Sequence, residues 1–154
     1  MADVVKPNLS EWEAEPTSLR RAYNAVAAID AFAAHIYQVA RNTSHPLGSA
    51  EHDLAFRNAL ALEDNSFRIV RDIAKAQKHV ELVRGTANLT VVRASDVHVS
   101  PVSYGRGKYG RGKYGGPPQV LVQLTSGSWD YVSSLANEAL AFLVQKLAEI
   151  AESK

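Results

Sequence analysis

Between residues 17 and 84 apolar side chains recur at steps of three and four, and near residue 86 that rhythm gives way to short runs rich in Val, Leu and Thr. The period of an apolar pattern decides which backbone geometry can gather those side chains on one face: about 3.6 residues for a helix, 2 for a strand. The switch predicts three helices followed by a small sheet. Helical spacing then returns for a closing helix over about 133–152, where Leu135, Ala139, Phe142, Leu143, Leu147 and Ile150 form a stripe. The expected fold class is mainly α (α+β): one domain over 1–154, a four-helix bundle with an antiparallel β-meander in 86–131. Residues 1–16 hold Pro7, Pro16 and four acids, and read as an N-terminal arm.

The first predicted helix starts at Thr17 or Ser18, whose hydroxyl can cap free N–H groups, and runs to about Arg41. Leu19, Tyr23, Val26, Ile29, Ala33, Ile36 and Tyr37 mark its main apolar face. Ala25, Ala28 and Phe32 form a second stripe, which predicts self-association as a homodimer. His45-Pro46-Leu47-Gly48 interrupts the pattern. A helix capped by Ser49 follows to about Leu62, with Leu54, Ala55, Asn58 and Leu62 expected to share one side. Asn65 or Ser66 is the expected cap of the third helix, over 66–84, and Gly85 stands where a left-handed terminal residue is favoured. Strands are expected over 89–94, 97–102 and 119–125, with Trp129 and Tyr131 starting another after the Ser126-Gly127-Ser128 turn.

A 154-residue chain with 46% apolar and 21% charged residues can build a core and is not disordered throughout. No apolar run reaches the ~20 residues of a membrane span, and no basic start followed by an apolar stretch suggests a secretory leader. Cysteine is absent, which removes disulfides and thiolate metal sites. The expectation is a cytoplasmic protein without membrane partner, metal or cofactor. The net charge of +1 conceals segregation: residues 66–118 hold ten Lys/Arg against three acids, +7, and the remainder seven against thirteen, −6. A region so basic can attract RNA or another anionic partner, or pair with acidic segments of the protein itself.

The predicted helix 66–84 has the most distinctive charge pattern. Ile69, Val70, Ile73, Ala76, Gln77 and Val80 share one face, and Arg68, Asp72, Lys75 and His79 fall nearly opposite, flanked by Arg71 and Lys78. Such a ladder is either a solvated face of ion pairs, each contributing about 0.2–0.5 kcal/mol, or a site in which Asp72 or a cation tunes His79. Asp30 lies on the apolar stripe of the first helix, where an unpaired carboxylate is costly. Its expected partner is a donor on the helix 66–84 or a backbone amide.

Arg71-Asp72-Ile73-Ala74, then Lys78-His79 and Leu82, ahead of a β-meander and a closing helix, resembles a family of uncharacterised bacterial helical proteins with an Arg-Asp-Ile-Ala-Asn-x-x-Lys-His-x-x-Leu motif. Lys75 stands where that motif has Asn. Asp30 followed by Phe32 is similar to the family's first-helix pattern. The arrangement also resembles the HEPN superfamily of helical bundles, which implies dimers and, in many members, metal-independent ribonucleases with an Arg and a His on one helix. Seven residues separate Arg71 from His79, a longer interval than those members show. Carried onto this chain, the resemblance implies His79 as base near a ribose 2′-hydroxyl, Arg71 as the cation on the developing phosphorane charge, and Asp72 beside them. Asp30, Arg68, Lys75 and Lys78 would then be binding residues. The alternatives left open are a non-enzymatic assembly or partner-binding module, and a small-ligand pocket between the first and third helices.

Residues 104–113 are two copies of Tyr-Gly-Arg-Gly-Lys, followed by Tyr114-Gly115-Gly116. Arg106, Lys108, Arg111 and Lys113 can meet phosphates while the tyrosines stack on bases. A duplicated extension of a hairpin loop accounts for the same residues. His45, His52 and Asp53 lack a convincing metal-ligand spacing.

Overall fold

The computed structural model describes residues 2–79, 89–100 and 118–152. It is mainly helical, with a small three-stranded antiparallel sheet. Among the described residues the helices are α1 (Ala2–Ala14), α2 (Leu19–Asn42), α3 (Asp53–Glu63), α4 (Asn65–His79) and α5 (Val132–Glu152).

The segment read as an arm is α1. Its prolines and acids suggested a loop, but Val5, Leu9 and Trp12, at steps of four and three, form one buried face. Pro7 lies inside this helix and removes one N–H donor, a loss confined to its second turn. Arg21 fastens α1 to α2, donating from Nη1 to the Glu11 carbonyl at 2.6 Å and pairing through Nε with Glu15 at 3.1 Å. Ser18 caps α2 as expected, its hydroxyl accepting from the Arg21 amide at 3.4 Å.

α2 packs against α1, α4 and α5, so its flanks are covered within one chain. Ala25, Ala28 and Phe32 are buried there, and that stripe is not a surface for self-association. The end of α2 is a Schellman turn: the His45 amide donates to the Ala40 carbonyl at 2.9 Å and the Ser44 amide to that of Arg41 at 3.1 Å. Ser44 takes the left-handed conformation, φ 53°, that glycine usually fills. The chain then folds back so tightly that a Cβ on Gly48 would lie 2.6 Å from the Arg41 amide nitrogen.

In α3 the inward residues are Phe56, Leu60 and Ala61; Leu54, Asn58 and Leu62 face solvent, Leu62 at 87% exposure. The expected face was wrong because positions 54–62 are apolar apart from Arg57 and Asn58, and the pattern marks two stripes equally well. Tyr37 of α2 stacks on Phe56 with ring centroids 5.5 Å apart.

Asp64, rather than Asn65 or Ser66, caps α4, its Oδ1 accepting from the Phe67 amide at 2.6 Å. The Ser66 hydroxyl instead donates to Glu138 on α5 at 2.5 Å. α4 contacts α2, α3 and α5, and Phe67, Ile69, Val70, Ile73, Ala74 and Ala76 are all buried. Gln77, expected on the core face, is exposed. Residues 80–84 of the expected helix lie outside the described residues.

The strands are β1 (Val97–Ser100), β2 (Gln119–Gln123) and β3 (Trp129–Tyr131), in the order β1-β2-β3. Val97 faces Val122, Ser100 faces Gln119, and Leu121 faces Tyr131. Gly127, with φ 83°, makes the turn before β3 possible. Residues 89–94 do not form the expected strand. They meet the sheet region through Thr125, whose amide donates to the Thr90 carbonyl at 2.9 Å and whose hydroxyl donates to that of Leu89 at 3.0 Å. α5 closes the core with Leu135, Ala139, Leu143 and Ile150 buried and Phe142 and Leu147 packed alongside, as their spacing predicts. Among the described residues no helix is long and apolar enough to cross a membrane.

Candidate functional site

A polar layer crosses the interior where α2, α3 and α4 meet. Asp72 is wholly buried and Arg71 is 7% exposed. Their pairing is unusual for sequence neighbours: Arg71 Nε and Nη2 donate to Asp72 Oδ1 at 3.2 and 3.0 Å. The remaining carboxylate oxygen accepts from the amide and hydroxyl of Thr90 at 2.8 and 2.9 Å. Arg71 Nη1 reaches α3 and donates to Asn58 Oδ1 at 2.9 Å. Each charge is thus compensated and hydrogen-bonded, the condition under which burial is tolerable. The pair clamps α4 to α3 and to the segment beginning at residue 89.

Asp30, 4% exposed, forms the second half of this layer. Its principal partner is Arg57 on α3, which donates from Nη1 to Asp30 Oδ2 at 2.8 Å and from Nη2 to Asp53 Oδ2 at 2.6 Å. Burial opposes the Arg57 charge, yet Asp30 and Asp53 outweigh it and its pKa is raised. Lys78 of α4 stands 4.0 Å from the same Asp30 oxygen, so the expected partner helix supplies only the more distant cation. Asp30 Oδ1, Asp53 Oδ1 and Arg57 Nε are buried without hydrogen-bond partners. Lys75 is half-buried one turn beyond Arg71 and Asp72. Its pKa is lowered, first by burial and then by the Arg71 charge, against the pull of Asp72 and Asp30.

The charged ladder is therefore not a uniform solvated face. Arg71 and Asp72 are interior, Arg68 and Lys75 half-buried, Lys78 and His79 exposed. His79 follows Asp72 by seven residues, about 10 Å along the helix axis. The three expected catalytic residues are not brought together, and the Arg71 guanidinium is committed to Asp72 and Asn58. Arg57 and Thr90 escaped the sequence reading, and Asn58 entered it only as part of one side of the helix, not as a partner of Arg71. Only Arg57 left a signal there: it is the sole cation in 53–63, four residues after Asp53. Arg106, Lys108, Arg111 and Lys113 lie outside the described residues. Among the described residues no cluster of three or more His, Asp or Glu could hold a metal.

Comparison with models of known protein families, with curated proteins and with solved structures finds no match for this chain.

Proposed function

We propose that this chain is a HEPN-like helical bundle that binds RNA without cleaving it. The observation that carries the reading is the position of Lys78 and His79: both are exposed at the end of α4, on the stretch that holds ten of the seventeen Lys/Arg. A polyanion gains affinity chiefly by releasing counterions from phosphates, which needs accessible, clustered cations rather than a preformed cleft. The tandem Tyr-Gly-Arg-Gly-Lys sequence adds four cations with interleaved tyrosines, the composition that tracks a single strand. Cleavage asks more: a cation and a base converging on one phosphate. Binding is preferred because Arg71 is sequestered with Asp72 while His79 lies more than two turns away.

The test is titration of the intact chain with a single-stranded RNA across salt concentrations, followed by gel analysis of the RNA. Affinity that falls steeply with salt, with intact RNA, is expected. Absence of binding by a folded sample at low salt removes the reading. Cleavage lost in His79→Ala would restore the ribonuclease alternative.

A further inference from the structure

The sheet has two faces of different character. Val97, Val120 and Val122 join the helical core, so alternation along the strands sends His98, Leu121, Gln123 and Trp129 to the other side. His98 on β1 lies opposite Leu121, and Trp129 on β3 lies opposite Gln123. The two rings start from strands on either side of β2, yet their centroids are 4.7 Å apart with 82° between the planes. They therefore meet above the central strand. Leu121 beneath them is fully buried, while both rings remain partly exposed.

Beside this pair is a cavity of about 280 Å³ lined by Val92, Arg93, Asp96, Gln123, Leu124 and Thr125. Gln123 belongs to both features, lining the cavity and facing Trp129 across β2 and β3. Asp96 Oδ2 accepts from the Val92 and Arg93 amides at 3.3 and 2.8 Å and so fixes one wall. The turn Ala94–Asp96 also contacts α4, the helix that ends in Lys78 and His79.

We propose that this outer face receives the bases of a single-stranded RNA, one stacked on the Trp129–His98 pair and its neighbour in the cavity beside Gln123. The inference rests on the RNA-binding reading and deepens it, assigning bases to the sheet and phosphates to the cations. An aromatic ring offers a stacking face to any unpaired base, whatever the sequence. In the cavity the Asp96 carboxylate repels phosphate but accepts from amino and ring N–H groups, and the Gln123 amide both donates and accepts. A base suits such a lining and the sugar-phosphate backbone does not. The backbone then runs outside the cavity, where the chain's own cations can meet it. Arg106, Lys108, Arg111 and Lys113 are each within eight residues of Ser100 or Gln119, which are paired on this sheet. At up to ~3.6 Å per residue, that tether is long enough to follow a strand laid across the face.

The test compares a single-stranded RNA of mixed sequence with an abasic strand of equal length and charge, both titrated against the intact chain. The protein has two tryptophans, and Trp12 is buried under α1, so a change in indole emission reports on Trp129. RNA should quench that emission and the abasic strand should not. Trp129→Ala should weaken RNA binding about tenfold, as loss of a base–aromatic stack does, with the salt slope and abasic binding unchanged. Trp129→Phe should retain most of the affinity. If the unmutated chain binds RNA with the expected salt dependence but shows no quenching, or if Trp129→Ala binds as tightly, the proposal is overturned while the RNA reading stands. If the unmutated, folded chain binds neither strand at low salt, both are overturned. Equal loss of both strands in Trp129→Ala marks a damaged fold, and quenching in the unmutated chain then decides.

Discussion

Arg71 and Lys78 stand on the same helix two turns apart, each beside an aspartate, and yet their surroundings have little in common. Arg71 has three nitrogens engaged, is 7% exposed, and is bound to Asp72 and to Asn58 of α3. Lys78 extends into solvent and meets Asp30 only at 4.0 Å. The difference lies in what covers each turn of α4 rather than in the residue type. Desolvation raises the consequence of losing a partner in the interior, while an exposed ion pair contributes little, ~0–1 kcal/mol. Charged residues along one helix therefore serve structure where they are buried and, under the proposed function, meet RNA where they are exposed.

Asp72→Ala should break this comparison most severely. It leaves Arg71 buried without its counter-charge and strips an acceptor from Thr90, so denaturant unfolding should show a loss of about 3–5 kcal/mol. A loss below 1 kcal/mol would mean that Arg71 escapes to water and that the inner half is no different from the outer. Asp30→Ala comes next, at about 1–3 kcal/mol. The smaller effect follows from Asp53, which still holds the Arg57 guanidinium. Unchanged thermal stability would mean that the Asp30 carboxylate is solvated.

At the outer end, Lys78→Ala and His79→Ala should alter stability by no more than about 0.5 kcal/mol. Lys78→Ala should nevertheless weaken RNA binding and reduce the slope of log affinity against log salt by about one. A destabilised protein with unchanged binding would reverse the assignment. The smallest effect concerns Lys75. Its pKa is lowered in the fold, so between the folded value and the ordinary 10.5 the unfolded chain holds the proton that the native state has released. Stability therefore rises with pH through that window, and the charged form works against folding below it. Lys75→Met should raise Tm slightly at pH 7, and the gain should fade as pH approaches 10.5. A gain constant across pH would locate the effect in packing rather than charge.

The sequence was most legible where a single periodicity dominated. α2 and α5 fall where their stripes predict, and Ser18 caps the former because a hydroxyl before an apolar run has few other roles. α1 was hidden by its prolines and acids, although Val5, Leu9 and Trp12 carried the spacing. The polar layer was half legible. Asp30 on an apolar stripe announces a buried carboxylate, but Arg57 is identified only once α3 is turned to present it. Whether Arg71 and Asp72 lay on a solvated face or in a site stayed open, because helical phase alone cannot tell that a third and fourth element cover the far side. Thr90 is eighteen residues from Asp72, and no local pattern connects them.

Ser100 and Gln119 face each other across β1 and β2, so the chain leaves the sheet and re-enters it at one place. The entropic cost of such a closure grows only with the logarithm of length, about 0.6 kcal/mol for each doubling. Copying a five-residue unit within 101–118 changes that cost by no more than a few tenths of a kcal/mol. The described sheet register is therefore compatible with one, two or three Tyr-Gly-Arg-Gly-Lys units. Units can be gained or lost with the strand pairing intact, each adding or removing two cations, and the charge of this stretch of sequence can evolve separately from the core.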